Sequence, residues 1–348
     1  KIFKSSNSGG AWTEISAGLA GQDVRSIAVN PQTPSTLYAG TTLGVYKSTN
    51  GASWSAVNTG LGAVAIRTLV IDPSSPSTVY AGLESGGIFR TTNGGGSWSP
   101  AGGGMTGAGV RSVAINPQAP SIVYAGTPNG VFKSENAAGS WEAANTGLIN
   151  TAVRALALNS QLTSTLYAGA LNGIFKSTDR GGNWFPANTG LTALSVQAVT
   201  VDPQAPATVY AGTGDGGVYK STNGGSTWSA TNAGIVDLDV RALVVDPQTP
   251  ASLYAGTYGG VSRSTNGGAS WVTANGGLSN QHILAMVGDP VAPSKLYAAT
   301  SSGVFKSTSR GDSWSAASSG LSNTYVQALA IDPSAPATLY AGTWGDGV

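Results

Sequence analysis

Three aspartates stand outside the repeated turns of this sequence and could do chemistry: Asp215, Asp237 and Asp239. A glycoside hydrolase needs two carboxyl groups about 5–9.5 Å apart across a cleft. The loops that carry these aspartates are short, which leaves little chain for the walls of a cleft. The three residues are therefore the catalytic candidates if the protein is an enzyme, and the sequence favours a non-catalytic role.

Metal and cofactor chemistry has little support in the residues. The chain has a single histidine and no cysteine, so neither a histidine cluster nor a thiolate site for zinc is available. Asp237 and Asp239 lack the oxygen-rich motif of a calcium loop. A phosphate-binding Gly-Lys-Ser/Thr loop is also missing from the sequence. We expect no metal and no cofactor.

Five arginines recur at one place, two residues into a β-rich run: Arg25, Arg67, Arg111, Arg154 and Arg241. At the same place other repeats carry Gln197, Leu284 and Gln327. Guanidinium groups bind carboxylates through paired hydrogen bonds, so such a set predicts an anion or carboxylate site. The alternative is that each arginine binds carbonyl groups of its own loop.

Four aromatic side chains break the repeat pattern in loops: Tyr258, His282, Tyr325 and Trp344. Exposed aromatic clusters mark contact sites in soluble proteins. These four residues could form one patch that stacks on sugar rings or covers a protein partner. The alternative is four scattered loop residues that fill local gaps.

A repeat must position all of these residues. Its marker is a tryptophan after a Gly-rich loop such as Ser221-Thr-Asn-Gly-Gly-Ser-Thr-Trp228, and successive copies lie 42–44 residues apart. The eight copies end at Trp12, Trp54, Trp98, Trp141, Trp184, Trp228, Trp271 and Trp314. Each period divides into four β-rich runs separated by turn signals, and the pattern shows no helical periodicity. Four antiparallel strands per 43 residues describe a propeller blade, so the sequence predicts an all-β, eight-bladed β-propeller.

The two chain ends supply complementary parts of one blade. Residues 340–348 read as a second strand, a turn and the start of a third, whereas residues 2–5 read as a third strand before a box. Pairing of the N- and C-terminal strands would close the ring and remove open edges. We therefore expect one domain over residues 1–348, with the last blade built from about 325–348 plus 1–20. An open solenoid is the alternative.

The loop pattern Ser/Thr-x-Asn/Asp-x-Gly-x-Ser/Thr-Trp resembles the Asp-box, or bacterial neuraminidase, repeat. Sialidases, xyloglucan hydrolases, the sortilin luminal domain and photosystem II assembly factors contain such repeats. The resemblance implies that the box and its tryptophan are structural and lie away from the binding face. Ser309 and Ala138 depart from the pattern, and we expect weaker turns there. The catalytic set of sialidases cannot be assigned, and xyloglucan hydrolases pair two propellers where this sequence predicts one.

Charge limits the classes of partner. Charged residues are 9% of the chain and the net charge is +1, so nucleic acid is not an expected partner, and no apolar run is long enough for membrane insertion. The sparse charge and the absence of cysteine favour a secreted, periplasmic or cell-surface protein. We expect a binding or scaffold propeller for a protein or glycan partner, monomeric or part of a larger assembly. The alternatives are a glycoside hydrolase and an engineered or recently amplified propeller without an evolved ligand.

A basic residue also closes the third predicted strand of every repeat. We expect these residues to be architectural, with the stem covering a neighbouring ring or the charged group making a cation–π contact. The set is Lys4, Lys47, Arg90, Lys133, Lys176, Lys220, Arg263 and Lys306.

Overall fold

The computed structural model describes residues 1–19, 21–101, 105, 109–149, 152–246, 248–279 and 282–344. Every regular element of these residues is a β-strand, and the strands form eight four-stranded antiparallel sheets. The sheets are the blades of an eight-bladed β-propeller, which confirms the predicted fold class. No helix in these ranges is long and apolar enough to cross a membrane.

The chain divides into two compact units, and the first contains Lys1–Gly102 and Asn275–Val348. Its four blades are numbered by chain order. Blade 1 contains β3 (Val24–Val29), β4 (Leu37–Thr41), β5 (Gly44–Ser48) and β6 (Ser55–Ala56). Blade 2 contains β7 (Ile66–Ile71), β8 (Val79–Leu83), β9 (Ile88–Thr91) and β10 (Ser99–Pro100). Blade 7 contains β27 (Ile283–Gly288), β28 (Leu296–Thr300), β29 (Gly303–Ser307) and β30 (Ser315–Ala316). Blade 8 contains β31 (Val326–Ile331), β32 (Leu339–Thr343), β1 (Ile2–Ser5) and β2 (Thr13–Glu14).

The second unit is Gly103–Ala274 and contains the other four blades. Blade 3 contains β11 (Ser112–Ile115), β12 (Val123–Thr127), β13 (Gly130–Ser134) and β14 (Glu142–Ala143). Blade 4 contains β15 (Val153–Leu158), β16 (Leu166–Ala170), β17 (Gly173–Ser177) and β18 (Phe185–Pro186). Blade 5 contains β19 (Val196–Val201), β20 (Val209–Thr213), β21 (Val218–Ser221) and β22 (Ser229–Ala230). Blade 6 contains β23 (Val240–Val245), β24 (Leu253–Thr257), β25 (Gly260–Ser264) and β26 (Val272–Thr273). That the whole chain is one domain stays a prediction.

Blade 8 joins the two ends of the chain, as the sequence predicted. Strand β1 pairs antiparallel with β32 on one side and with β2 on the other. The register places Phe3 opposite Ala341 and Ser5 opposite Leu339. Because β1 lies inside the sheet, both of its edges are satisfied by neighbouring strands.

The hydrophobic core lies in layers between successive blades of a unit. In the second unit, Tyr167 and Ile174 of blade 4 pack with Val196, Val209 and Trp228 of blade 5. The side chain of the second-strand tyrosine is buried in this layer, and burial raises the pKa of Tyr167 to about 12. Tyr167 is therefore neutral over the physiological pH range.

The box is a tight turn that satisfies its own backbone. In blade 5, Oδ1 of Asn223 accepts hydrogen bonds from the Ser221 hydroxyl and from the Thr227 N–H, both at 2.9 Å. Gly224 and Gly225 both have positive φ, of 64° and 83°, which a residue without a Cβ adopts at low cost. The polar positions of the box therefore serve the turn.

Two boxes form the same turn although they contain residues that differ from the box pattern. In blade 3, Ala137 and Ala138 adopt φ of 54° and 64°, a region that costs a residue with a Cβ about 1–2 kcal/mol. In blade 7, the hydroxyl of Ser309 accepts the Ser313 N–H at 3.0 Å in place of an amide oxygen. These substitutions keep the hydrogen bonds but add backbone strain at Ala138, and the lower stability of both turns stays a prediction.

In blade 4 the box carries Asp179 where most copies have asparagine. Its carboxylate accepts the N–H and the side-chain amide of Asn183, both at 2.8 Å, and the hydroxyl of Ser177. These hydrogen bonds, led by the one from the Asn183 backbone, lower the pKa of Asp179 to about 2. The turn thus accepts a charged carboxylate at the position of the amide.

The box tryptophan fixes one blade to the preceding one. Trp228 is 4% exposed, and its Nε1–H donates to the carbonyl of Ala187 in blade 4 at 2.7 Å. Its backbone N–H donates to the carbonyl of Thr189 at 2.8 Å. The tryptophan is thus an anchor between two blades.

Replacement of this anchor should weaken the fold. We expect Trp228→Ala to lower the free energy of unfolding by about 3–5 kcal/mol, because it leaves a cavity between two blades. Urea denaturation followed by circular dichroism measures the change. Trp344→Ala is the control, since that ring is 47% exposed and should change stability by less than about 0.5 kcal/mol. A neutral Trp228→Ala variant would contradict the structural role of the box.

Four of the basic residues at the ends of the third strands make the expected cation–π contact, namely Lys4, Lys47, Lys176 and Lys220. Nζ of Lys176 lies 5.8 Å from the centroid of the Tyr167 ring and donates to the carbonyl of Gly224 at 2.7 Å. Lys220 makes the equivalent contacts with Tyr210 and Gly267. Burial lowers the pKa of Lys176. Each of these two lysines therefore makes a cation–π contact and also donates a hydrogen bond to the box of the next blade.

Candidate functional site

A β-bulge orients the side chains at the predicted arginine positions. In seven blades the register between the first and second strands shifts at the second residue of the first strand. A bulge leaves the extra residue unpaired and re-aims its side chain. The bulged residues are Arg25, Arg67, Arg154, Gln197, Arg241, Leu284 and Gln327. Arg111 lies just before β11.

Four of these bulged residues line one open cavity of about 400 Å³ in the first unit. They come from blades 7, 8, 1 and 2, whose first strands follow one another in contact. Glu84, in the loop after β8, and Trp344, directly after β32, complete the lining. The bulged residues in the lining are Leu284, Gln327, Arg25 and Arg67. The structure thus unites two sets that the sequence offered separately, the arginines and part of the aromatic group.

The cavity carries an excess of positive charge. Arg25 forms an ion pair with Glu84 through Nη1 and Oε2. Arg67 is exposed, and within the described residues its guanidinium has no hydrogen bond or ion pair. Two guanidinium groups therefore face one carboxylate, and Arg67 is available to an anionic ligand.

Trp344 presents a fixed aromatic surface at the edge of this cavity. Its side chain is 47% exposed, and its ring centroid lies 5.2 Å from that of Tyr325 at an interplanar angle of 59°. The backbone N–H of Trp344 donates to the Tyr325 carbonyl, and Nδ2 of Asn323 donates to the Trp344 carbonyl, both at 3.0 Å. These contacts hold the indole in place, so a planar ligand face can stack on it without ordering a loop.

The arginines of the second unit have protein partners. The Arg241 guanidinium donates to Oδ2 of Asp239 at 2.9 Å and lies 4.2 Å from the Tyr258 ring centroid. Arg154 donates from Nη1 to Oε1 of Gln197 in the next blade. These arginines bind neighbouring side chains, which is closer to the alternative of local bonding than to a shared anion site.

Of the four predicted aromatics, the structure brings two together, Tyr325 and Trp344. Tyr258 belongs to the second unit, where it is 41% exposed and stacks with Arg241. His282 lies in the first unit and is partly buried. The single patch of four residues stays a prediction.

The three candidate aspartates have different surroundings. Asp237 accepts the Asp239 N–H at 3.0 Å with one oxygen and the Gly259 N–H at 2.8 Å with the other, so it joins two loops of blade 6. Asp239 is paired with Arg241, and Asp215 is exposed between β20 and β21. Among the described residues no group of three or more His, Asp or Glu side chains could hold a metal ion. Asp237 and Asp239 therefore have structural roles, as a link between two loops and as the ion-pair partner of Arg241.

Sequence reasoning did not identify Glu84 as a site residue. The loop Leu83-Glu84-Ser85-Gly86-Gly87 is one residue longer than the corresponding loop of blade 1, Thr41-Thr42-Leu43-Gly44. This extra length, which the loop 213–217 of blade 5 shares, is the signal that could have pointed to it.

Comparisons with known proteins agree on the fold. The family described as a DUF6242 beta propeller domain matches residues 1–107. No curated protein matches the sequence. A GH74 xyloglucanase from Xanthomonas campestris is similar in structure, with a TM-score of 0.63 and 17% identity over 89% of this chain and 56% of its own. The extracellular domain of the one-component system BT4673 from B. thetaiotaomicron has a TM-score of 0.62 and 19% identity over 81% of this chain and 38% of its own.

A third similar structure covers most of this chain. YCF48 bound to D1 peptide has a TM-score of 0.57 and 11% identity, over 95% of both chains. The chain spans only about half of the xyloglucanase, so that likeness concerns the propeller. At these identities the comparisons establish the fold.

Proposed function

We propose that this propeller is a non-catalytic binding module outside the cytoplasm, and that the cavity of the first unit receives a protein or glycan partner. The observation that carries the proposal is the convergence of Arg25, Arg67, Gln327 and Trp344 from three successive blades on one open cavity. A few convergent polar groups beside an exposed aromatic are typical of binding sites. The repeated polar residues of the boxes form hydrogen bonds within their own turns. The residues that line the cavity, in contrast, differ from blade to blade.

The structural neighbours support a binding role of this kind. One contains a bound peptide, one is the extracellular domain of a bacterial one-component system, and one is a xyloglucanase. The sparse charge and the absence of cysteine fit the same location outside the cytoplasm.

Capture experiments with matched variants test this function. We expect Trp344→Ala to weaken capture on a combined glycan and peptide array by at least about tenfold, since central aromatic anchors contribute about 2 kcal/mol or more. Tyr258→Ala is the control, because Tyr258 follows Thr257 as Trp344 follows Thr343. Both variants should melt like the parent protein.

A hydrolytic assay on polysaccharides separates the competing function. A binding module should release no reducing ends, and Asp237→Asn and Asp239→Asn should leave capture nearly unchanged. Hydrolysis that either substitution abolishes would establish a glycoside hydrolase in place of the proposed function. If Trp344→Ala captured ligands as well as the parent protein does, the cavity would not be the binding site.

A further inference from the structure

We infer that the cavity of the first unit binds a saccharide residue that carries a carboxylate, and that Glu84 is a built-in competitor of this ligand. The inference rests on the proposed function and specifies its ligand. Its premises are the guanidinium of Arg67, which is unpaired among the described residues, the ion pair between Arg25 and Glu84, and the indole of Trp344 packed against Tyr325.

The lining favours a saccharide over a peptide. Peptides bind through an added strand, a hydrophobic groove for a helix, or aromatic grooves for polyproline. The cavity instead joins one aromatic face and Leu284 to side chains that donate and accept hydrogen bonds, namely Gln327, Glu84 and the two arginines. A pyranose has the matching chemistry, with a flat C–H face and a rim of hydroxyl groups. The cavity of about 400 Å³ lies within the range of small-molecule sites.

The charge specifies an acidic sugar. Arg67 can pair with a ligand carboxylate through two parallel hydrogen bonds, which is the strongest contact the cavity offers. A neutral sugar would leave Arg67 without an ionic partner. We therefore place the carboxylate of the ligand at Arg67 and its ring face on Trp344.

Glu84 occupies the position of a second ligand carboxylate. Its side chain is 48% exposed and neutralises Arg25, so it lowers the positive potential that an anion meets on entry. Glu84→Gln removes this negative charge and keeps the shape of the side chain. The variant should therefore bind an acidic saccharide more tightly than the parent protein does, which a purely structural glutamate would not produce.

Titration calorimetry at low ionic strength tests the inference with two probes, a trimer of galacturonic acid and a tetrasaccharide with alternating glucuronic acid. Each is compared with its carboxyl methyl ester, which has the same ring without the charge. We expect at least one acid to bind about tenfold more tightly than its ester, and Glu84→Gln to widen that ratio severalfold. Arg67→Gln should remove the preference for the acid. Arg154→Gln, at the same strand position in the second unit, should leave both affinities unchanged.

The outcomes separate this inference from the proposed function. Equal affinity for acid and ester, or an unchanged ratio in Arg67→Gln, would overturn the acidic ligand while a Trp344-dependent binding module remains. Capture of peptides on the array, with no binding of either acid, would likewise overturn the acidic ligand and leave the binding module in place. Absence of all Trp344-dependent capture would remove both proposals.

Discussion

Deletion of residues 1–12 should convert the protein into an associating species that no longer unfolds cooperatively. The deletion removes β1 from the middle of blade 8, where it pairs with both β32 and β2. It also removes Ile2 and Phe3, which are fully buried, and Trp12, which is 4% exposed. Strand β32 would then present an unpaired edge to other molecules, which is a known route to aggregation.

Light scattering after size exclusion and a urea titration measure this result. The loss of several buried side chains together with one whole strand should exceed the effect of any single core substitution. A synthetic peptide of residues 1–20 added in trans is the control, because it should restore the missing strand and the monomer. A truncated chain that remains monomeric with unchanged melting would contradict the pairing of the two termini.

The period of the tryptophans was sufficient to predict the blades. Each copy of the box marks the same turn, so the 42–44-residue spacing translated directly into eight sheets. The complementary strand fragments at the two ends predicted blade 8 for the same reason. Local turn chemistry and repetition are properties of short segments, and a single sequence contains them in full.

The candidate site was only partly predictable. The sequence showed that Arg25 and Arg67 share a position in the repeat and that Trp344 is exceptional, but not that a β-bulge aims the arginines toward one cavity. A bulge depends on pairing with a second strand, and the Arg25–Glu84 ion pair joins residues 59 positions apart. Such contacts depend on the arrangement of blades, which the spacing of residue types does not encode.

The same limit applies to the second unit. Arg241 and Tyr258 were assigned to two different candidate surfaces, an arginine set and an aromatic patch, yet they stack on each other. Asp239 was a catalytic candidate and is the ion-pair partner of Arg241. The residue types showed which side chains could bind a ligand or act as catalysts. The fold determined which of these side chains already interact with one another.

Gly190→Ala should cost more than about 5 kcal/mol of unfolding free energy, the largest loss we expect from a single substitution. Gly190 has φ of 87°, and a Cβ there would lie 2.1 Å from the carbonyl oxygen of Trp228. The contact is with backbone, so no rotation of a side chain relieves it. The neighbouring hydrogen bond from the Trp228 N–H to Thr189 would be broken as the strands separate. The change therefore combines backbone strain with loss of the anchor between blades 4 and 5.

Gly62→Ala separates these two contributions. Gly62 has a similar φ of 77°, but a Cβ there would meet nothing within 4 Å. That variant should lose only the conformational cost of a left-handed alanine, about 1–2 kcal/mol. Urea denaturation of both variants gives the difference, which measures how closely one blade approaches the next. Equal losses in the two variants would mean that blade 5 can retreat from Gly190 at little cost, and that the tryptophan anchor tolerates a wider spacing than the structure shows.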